Sequence, residues 1–564
     1  MKKRWNLLPY DPTVAEHLQD VLNINPVFCQ LLAQRGISSF EAARQFFRPS
    51  LEDLHDPFLM QDMDVAINRL ATAIQQEEKI LLYGDYDVDG TTSVALMFSF
   101  LKKYHQHLDY YIPDRYQEGY GISFEGIDYA KQNGMTLIIA MDCGIKAVEK
   151  VKYAKEKGID FIICDHHLPD AELPPAIAVL DPKRKDCNYP YKELSGCGIA
   201  FKLAQAFVEQ HSLETEQLGE LLDLVVISIA CDIVPMLGEN RTLAFWGLEK
   251  LNQTKRAGLQ SLIAVSERQV PLNVNDIVFG LGPRINAAGR LSDARQAVRL
   301  LLSKDKNTAE QNARVLQQRN QQRKEFDQQM VQEAKMILDA NTALPLQKSI
   351  VLYQPHWHKG VVGIAAARVV ENYHRPTIIL TESNGLAVGS ARSVKGFDIH
   401  QAIKKCSDVL INFGGHAHAA GLTLKVEQVD LFREKFEKIV QSTINEEHLV
   451  PEIMIAAPLE LDSITPSFWN ILRQFAPFGP ANRNPVFATK NVADTGFSRL
   501  LKGNHLKLKI KKEGSPVFNG IGFGLGDFFP KIQNQKFHIA YTINENNWNG
   551  KTDLQLNVKD VFTL

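Results

Sequence analysis

Between residues 65 and 235 the apolar and polar positions alternate in blocks rather than singly. Four runs of strand length, 80–83 (ILLY), 136–141 (TLIIAM), 160–164 (DFIIC) and 176–180 (AIAVL), are almost wholly apolar. Stretches with helical spacing, 91–104 and 146–157, lie between them. Strands alternating with helices predict a parallel sheet covered on both faces. Each run is followed at once by an acid: Asp85 just beyond Gly84, then Asp142, Asp165 and Asp181. Open α/β sheets bind ligands at the carboxyl ends of their strands, so the predicted fold gathers distant acids on one rim.

Outside this block the pattern changes. Residues 1–60 are punctuated by Pro9, Pro12, Pro26, Pro49 and Pro57, which predicts short helices, one of them restarting at Ser38-Ser39-Phe40. Residues 217–231 predict a buried helix that Pro235 cannot continue, leaving Asp232 at a chain turn. The segment 303–340, rich in Gln, Arg, Lys and Glu, predicts a long, mostly solvated connecting helix. A second α/β unit follows, with strands at 350–353 and 377–380, a helix at 363–372 and a glycine-rich turn over 414–421. From 455 onward short runs at 486–488, 506–510, 537–543 and 554–558 predict a small β-barrel. The expected divisions are a cap (1–64), a parallel-sheet catalytic domain with a helical extension (65–302), a connecting helix (303–345), a second α/β domain (346–450) and the barrel (451–564).

Composition narrows the picture slightly. A chain of 564 residues exceeds one core and predicts two to four domains. Hydrophobic content of 45% and charged content of 23% are ordinary for globular proteins. No apolar run reaches the roughly 20 residues of a membrane helix, and the basic start Met1-Lys2-Lys3-Arg4 lacks the apolar stretch of a signal peptide. A net charge of −2 excludes a surface coated in positive charge, though a local basic groove remains open. Seven cysteines without Cys-x-x-Cys spacing predict buried thiols in a reducing cytoplasm. A monomer is expected.

The candidate chemistry sits on the rim. Asp85, Asp87 and Asp89 crowd three carboxylates into five residues, and Asp165-His166-His167 sets an acid beside two imidazoles. Carboxylates at that density repel unless a cation neutralises them, and oxygen ligands with imidazole suit manganese or magnesium. The reaction so predicted is attack of an activated water on a phosphate ester. Asp142 and Asp232 each read equally as helix caps when taken alone. Asp165 could orient a ligand imidazole through its second nitrogen.

These stretches, in this order, resemble the motifs of the DHH phosphoesterase superfamily. Gly282-Pro283-Arg284-Ile285-Asn286-Ala287-Ala288-Gly289-Arg290 resembles the next block of its RecJ branch. Gly389-Ser390-Ala391-Arg392-Ser393 and Gly414-Gly415-His416-Ala417-His418-Ala419-Ala420-Gly421 resemble the DHHA1 domain, and Pro477-Phe478-Gly479 opens what looks like an OB-fold.

The resemblance implies two Mn²⁺ or Mg²⁺ ions held by Asp85, Asp87, Asp89, Asp142, His166 and Asp232, with Asp142 bridging. Asp85 stands near where many relatives carry histidine. His167 would face the phosphate, and Asp142, His167 and Asp165 form the implied catalytic set. Arg115, Ser390 and Arg392 are the implied 5′-phosphate contacts, against a surface salt bridge as the plain alternative. Arg284, Asn286, Arg290 and His416 are further implied DNA contacts, although His416 and His418 read equally as turn residues. Lys507, Lys509 and Lys511 alternate with apolar residues and so share one face. That face is a solvated sheet surface or a DNA track, with Phe518 or Phe523 as candidate stacking rings.

The implied activity is stepwise 5′ to 3′ hydrolysis of single-stranded DNA to 5′-mononucleotides in recombination and repair, fed by a helicase and a single-strand-binding protein. A phosphodiesterase acting on short oligonucleotides or cyclic dinucleotides, and a non-catalytic single-strand-binding scaffold, are the rival readings.

Overall fold

The four apolar runs form strands in the computed structural model, which describes residues 3–291, 293–548 and 551–563. Strands Ile80–Gly84, Leu137–Met141, Asp160–Cys164 and Ala178–Leu180 are all parallel neighbours, in that order across the sheet. A fifth, Leu108–Tyr111, pairs parallel with Ile80–Gly84 on the other side. The chain order 2-1-3-4-5 reverses direction between Ile80–Gly84 and Leu137–Met141, and open α/β sheets bind ligands at such a reversal. Asp85 and Asp142 follow these two strands.

Leu108–Tyr111 was not predicted. It is half-buried along its whole length at the sheet edge, so its sequence, LDYY, lacks the continuous apolar run of an inner strand.

Helices Val88–Leu101, Gly196–Gln210 and Leu222–Cys231 bury nearly all of their residues. A single 35-residue helix, Lys306–Ala340, roughly 50 Å long at 1.5 Å per residue, joins this part to the second α/β part. There the sheet runs Asn412–His416, Ala419–Lys425, Leu386–Arg392, Thr377–Ser383, Ile350–Tyr353, antiparallel except for the last pair. The predicted glycine turn is instead a β-hairpin whose tip is Ala417-His418. Gly414 faces Gly421, Gly415 faces Ala420, and Gly421 faces Ser390 on its other side, so small residues meet across the ladder.

The C-terminal part closes into a barrel. Strand Phe487–Asp494 pairs with Lys536–Trp548 on one side and His505–Lys511 on the other. Phe518–Gly522, the strand missed by pattern, pairs antiparallel with His505–Lys511 and parallel with Lys551–Thr563. Leu506, Leu508 and Ile510 point inward, leaving Lys507, Lys509 and Lys511 outside.

The N-terminal helices pack on this barrel. Leu18, Phe28, Leu31, Leu32 and Phe46 share one apolar core with Phe468, Phe475 and Phe487. The Phe28 ring lies 4.6 Å from that of Phe468. Arg241 crosses below, its buried guanidinium donating to the carbonyls of Phe46, Gln474, Phe475, Ala476 and Pro477. The chain thus forms two compact units, one of Trp5–Gly282, Ala297–Glu310 and Ile453–Leu564, the other mainly of Pro283–Gln296 and Gln311–Glu452.

Candidate metal centre

Backbone contact sets the first part of the centre. A side chain on Gly90 would put its Cβ 2.4 Å from the Asp85 carbonyl oxygen and 2.5 Å from its nitrogen. Only glycine lets the strand end and the first helical turn touch, which presses three acids into one corner. The helix starts at Val88, earlier than the pattern suggests. Asp87 is its N-cap, accepting from the Gly90 N–H at 3.1 Å, and Asp89 lies in its first turn. Asp85 is buried and accepts from the Gly121 N–H at 3.4 Å.

Asp89 is the most firmly held. Its carboxylate accepts from the Gly196 N–H (2.7 Å), the Cys197 N–H (2.8 Å) and the Ser228 hydroxyl (2.7 Å). The first two donors open helix Gly196–Gln210, whose N-terminus favours an anion. None of these three partners was anticipated, although the small-residue run Ser195-Gly196-Cys197-Gly198 marks a close approach. A Cβ on Gly196 would lie 2.7 Å from that of Asp142.

Asp142 sits at φ 59°, a left-handed conformation that turns its carboxylate off the strand end. His166 Nε2 lies 3.2 Å from Asp142 Oδ1, 3.5 Å from Asp232 Oδ2 and 3.8 Å from Asp89 Oδ2. Ligating atoms of Asp85, Asp87 and Asp142 fall within 4.8 Å of one another, as do those of Asp89, His166 and Asp232, and those of Asp142, His166 and His167. Three sets of ligand-type atoms therefore overlap, Asp142 being common to the first and third and His166 to the second and third. Asp181 ends the edge strand, accepts from the Lys183 N–H at 2.7 Å, and joins none of these sets among the described residues.

The donor set fits divalent cations. Both ring nitrogens of His166, Oδ1 of Asp142 and Oδ2 of Asp232 are buried without a hydrogen-bond partner, a costly state unless a cation meets them. Burial, then neighbouring carboxylates, push Asp85, Asp87, Asp142 and Asp232 above the ordinary carboxylate range. Burial lowers His166 despite the pull of Asp89, keeping a neutral ring with a lone pair to give. Carboxylate oxygens with one imidazole are the ligands of manganese and magnesium rather than of structural zinc.

Asp165 serves the other histidine. Its Oδ1 accepts from His167 Nδ1 at 2.7 Å, and its Oδ2 from the Ile145 N–H at 2.9 Å. The expectation that it orients the ligand imidazole is corrected if that ligand is His166: it holds His167. Burial pulls the Asp165 carboxyl upward, but the His167 bond and charge and the Ile145 N–H outweigh it and hold the group at about 2. Burial lowers His167, and the Asp165 bond and charge override it to raise its pKa. His167 Nε2 meets the Tyr120 hydroxyl at 3.2 Å, a partner that no sequence motif marks. Arg115 stacks 5.0 Å over the Tyr86 ring, and its charge draws Asp85 downward.

In the other unit, Ser390 and Arg392 lie two residues apart on one strand, with Arg392 donating to the Ser390 hydroxyl at 2.7 Å. Arg392 pairs in register with Ala419, and Ala419 with His416, so all three candidates share a sheet face. A Cβ on Gly363, in the first turn of helix Val362–Tyr373, would lie 2.9 Å from the Arg392 guanidinium. Arg284 is buried on helix Gly282–Leu291, Asn286 is half-buried there, and Arg290 donates to the Gly360 carbonyl at 3.3 Å. On the barrel, Lys509 lies 5.1 Å from the exposed Phe497 ring. Phe518 is 8% exposed and belongs to the barrel core, whereas Phe523 is 62% exposed, so only Phe523 of that pair can stack on a ligand.

Comparison with known proteins agrees with this organisation. The profile of the DHH family, N-terminal domain, matches residues 79–229, that of the DHHA1 domain residues 346–442, and that of the RecJ OB domain residues 455–560. The single-stranded-DNA-specific exonuclease RecJ of Bacillus subtilis is 38% identical over 99% of this chain and 71% of its own length. Its counterpart in Escherichia coli is 32% identical over 96% of both. The crystal structure of RecJ from Thermus thermophilus in complex with Mn²⁺ superposes with a TM-score of 0.85 at 26% identity, covering 100% of this chain and 80% of that one. With its three domain types in sequence and its identity sustained from end to end, the chain belongs to the RecJ family.

Proposed function

We propose that the chain is a divalent-metal-dependent exonuclease that hydrolyses single-stranded DNA from its 5′ end to 5′-mononucleotides, in recombination and repair. The observation that carries this reading is the overlap of ligand sets at the sheet's topological reversal, built around Asp142. Asp85, Asp87 and Asp142 would hold one cation, and Asp89, Asp142, His166 and Asp232 the other. Two Mn²⁺ or Mg²⁺ ions held there would supply the positive charge that lets a phosphodiester and a water meet among carboxylates.

The remaining groups act on the substrate. His167, whose protonated form the Asp165 bond and charge favour against burial, would present Nε2 as a donor to a phosphate oxygen carrying developing charge. Tyr120 limits the rotation of that ring. On one unit Arg115, and on the other Ser390, Arg392 and His416, are the candidate phosphate-binding groups, because guanidinium forks suit phosphate. Arg284, Asn286 and Arg290 flank the strand, while Lys507 and Lys509, with Phe497 and Phe523, offer charge and stacking to it beyond the active site. A cytoplasmic monomer, supplied with single strands by a helicase and a single-strand-binding protein, completes the reading.

Digestion of end-labelled single and double strands, with and without a 5′-phosphate, in Mn²⁺ and in Mg²⁺, tests polarity, strand preference and metal together. Asp142→Ala should abolish hydrolysis with an unchanged melting temperature. Near-normal rates in that variant, or a preference for dinucleotides over long strands, would overturn the reading.

A further inference from the structure

The larger unit contains a cavity of about 570 Å³ whose chemistry the exonuclease reading leaves unused. Its floor is apolar: Phe98, Leu221, Leu301 and Leu302. Around it stand six cationic side chains, Lys102, Lys103, Lys250, Lys255, Arg256 and Lys304, against two carboxylates, Glu220 and Asp223. The surplus is four positive charges, in a chain whose net charge is −2.

The two carboxylates are already engaged. Asp223 is buried and accepts from Arg256 at 3.0 Å, and Glu220 pairs with Lys103 at 3.3 Å. Lys250, Lys255 and Lys304 have no carboxylate within ion-pair distance among the described residues. The wall is preformed: a Cβ on Gly258 would lie 1.9 Å from the Leu300 carbonyl oxygen, so helix Ala257–Ser266 is pressed against that segment.

The cavity is separate from the acid cluster. Helix Val88–Leu101 carries Asp89 in its first turn and Phe98 and Ser99 near its far end. Ten residues of helix put about 15 Å between them. Helix Leu222–Cys231 likewise has its start beside the cavity and is capped by Asp232 at its other end.

We infer that this cavity binds a nucleoside polyphosphate. Its volume lies within the range of small-molecule sites. An apolar floor bearing one half-buried aromatic ring suits a nucleobase, and unpaired lysines at the rim suit a chain of phosphates, whose charge matches the surplus. A bare oligophosphate would leave the floor wet, and a nucleoside would leave the lysines unanswered.

The test is isothermal titration of the full chain with ATP as probe, in excess EDTA so that no metal bridges phosphate to the acid cluster. Expected is one saturable site, weakened about tenfold or more in Lys255→Glu/Lys304→Glu. Both lysines are exposed, so the fold should be kept, and an unchanged melting temperature checks it. The milder Lys255→Gln/Lys304→Gln should fall between the two. Tripolyphosphate and adenosine should each bind at least about tenfold more weakly than ATP. The inference is overturned by the absence of saturable binding at millimolar ATP, by unaltered affinity in the charge-reversed variant, or by tripolyphosphate or an acidic peptide of matched charge binding as well as ATP. Hydrolysis of single-stranded DNA by these variants in Mn²⁺ should match that of the parent chain, which separates this inference from the exonuclease reading.

Discussion

Ser228 offers the sharpest test of how the acid cluster is held. Three donors fix the Asp89 carboxylate, and two of them, the Gly196 and Cys197 N–H groups, are backbone. The Ser228 hydroxyl, 2.7 Å from Oδ1 and itself 2.7 Å from the Ser195 hydroxyl, is the one donor a substitution can remove. Ser228→Ala leaves a buried helical position occupied by the best helix former, so the fold should be retained. A hydrogen bond to a charged group contributes about 1.5–3 kcal/mol. At 1.4 kcal/mol per decade, its loss corresponds to roughly a 10–100-fold weakening of the cation that Asp89 would hold, the usual size of effect for a group that positions a ligand. The assay is the rate on 5′-phosphorylated single-stranded DNA as a function of Mn²⁺ concentration, with calorimetric Mn²⁺ titration alongside. The half-saturating concentration should rise by that factor while kcat at saturating metal stays within about threefold. An unchanged metal dependence, or a collapsed kcat with unchanged metal affinity, would refute the argument.

Other predictions concern charge. Asp165→Asn removes the partner that raises His167. The protonated ring would then be lost at lower pH, so the alkaline limb of the pH–rate profile should move downward; an unmoved limb would exclude His167 as the protonated donor. Lys507→Glu/Lys509→Glu should weaken binding of long single strands and reduce the salt slope of log K by about 0.7 per lost phosphate contact, while cleavage of very short oligonucleotides continues at the parent rate. Arg241→Met should destabilise the protein by about 3 kcal/mol or more, because several buried carbonyls lose their donor together. Urea titration followed by the combined fluorescence of the five tryptophans, Trp246 among them on the same helix as Arg241, would measure it.

The inner strands were legible because a strand buried on both faces must be apolar throughout, and the acids following them were legible because polar groups right after such strands stand out. The edge strand Leu108–Tyr111 was not, since half-burial removes that requirement. Asp85, Asp87, Asp89, Asp142, His166 and Asp232 could be named as candidates from the chain, and the fold brings them together. The groups that aim them could not. Gly196, Cys197 and Ile145 act through backbone N–H groups, which any residue but proline possesses, and Ser228 lies in the middle of an apolar helix, where a lone serine carries no signal. Phe518 opens its strand and packs into the barrel core, whereas Phe523 lies just past that strand's other end and is exposed, a difference that composition does not encode.

The sharing of one apolar core between the N-terminal helices and the C-terminal barrel has a consequence for how the molecule is made. Phe28 and Phe46 leave the ribosome more than 400 residues before Phe468 and Phe475, against which they pack. These helices must therefore wait, with apolar faces uncovered, until the barrel segment that covers them has emerged. The parallel-sheet domain in between can fold during that wait, but closure of the barrel core joins segments of very high sequence separation. The N-terminal helices and the barrel are thus a single late-folding unit, the place where a chaperone is needed most and where removal of either partner exposes the same surface.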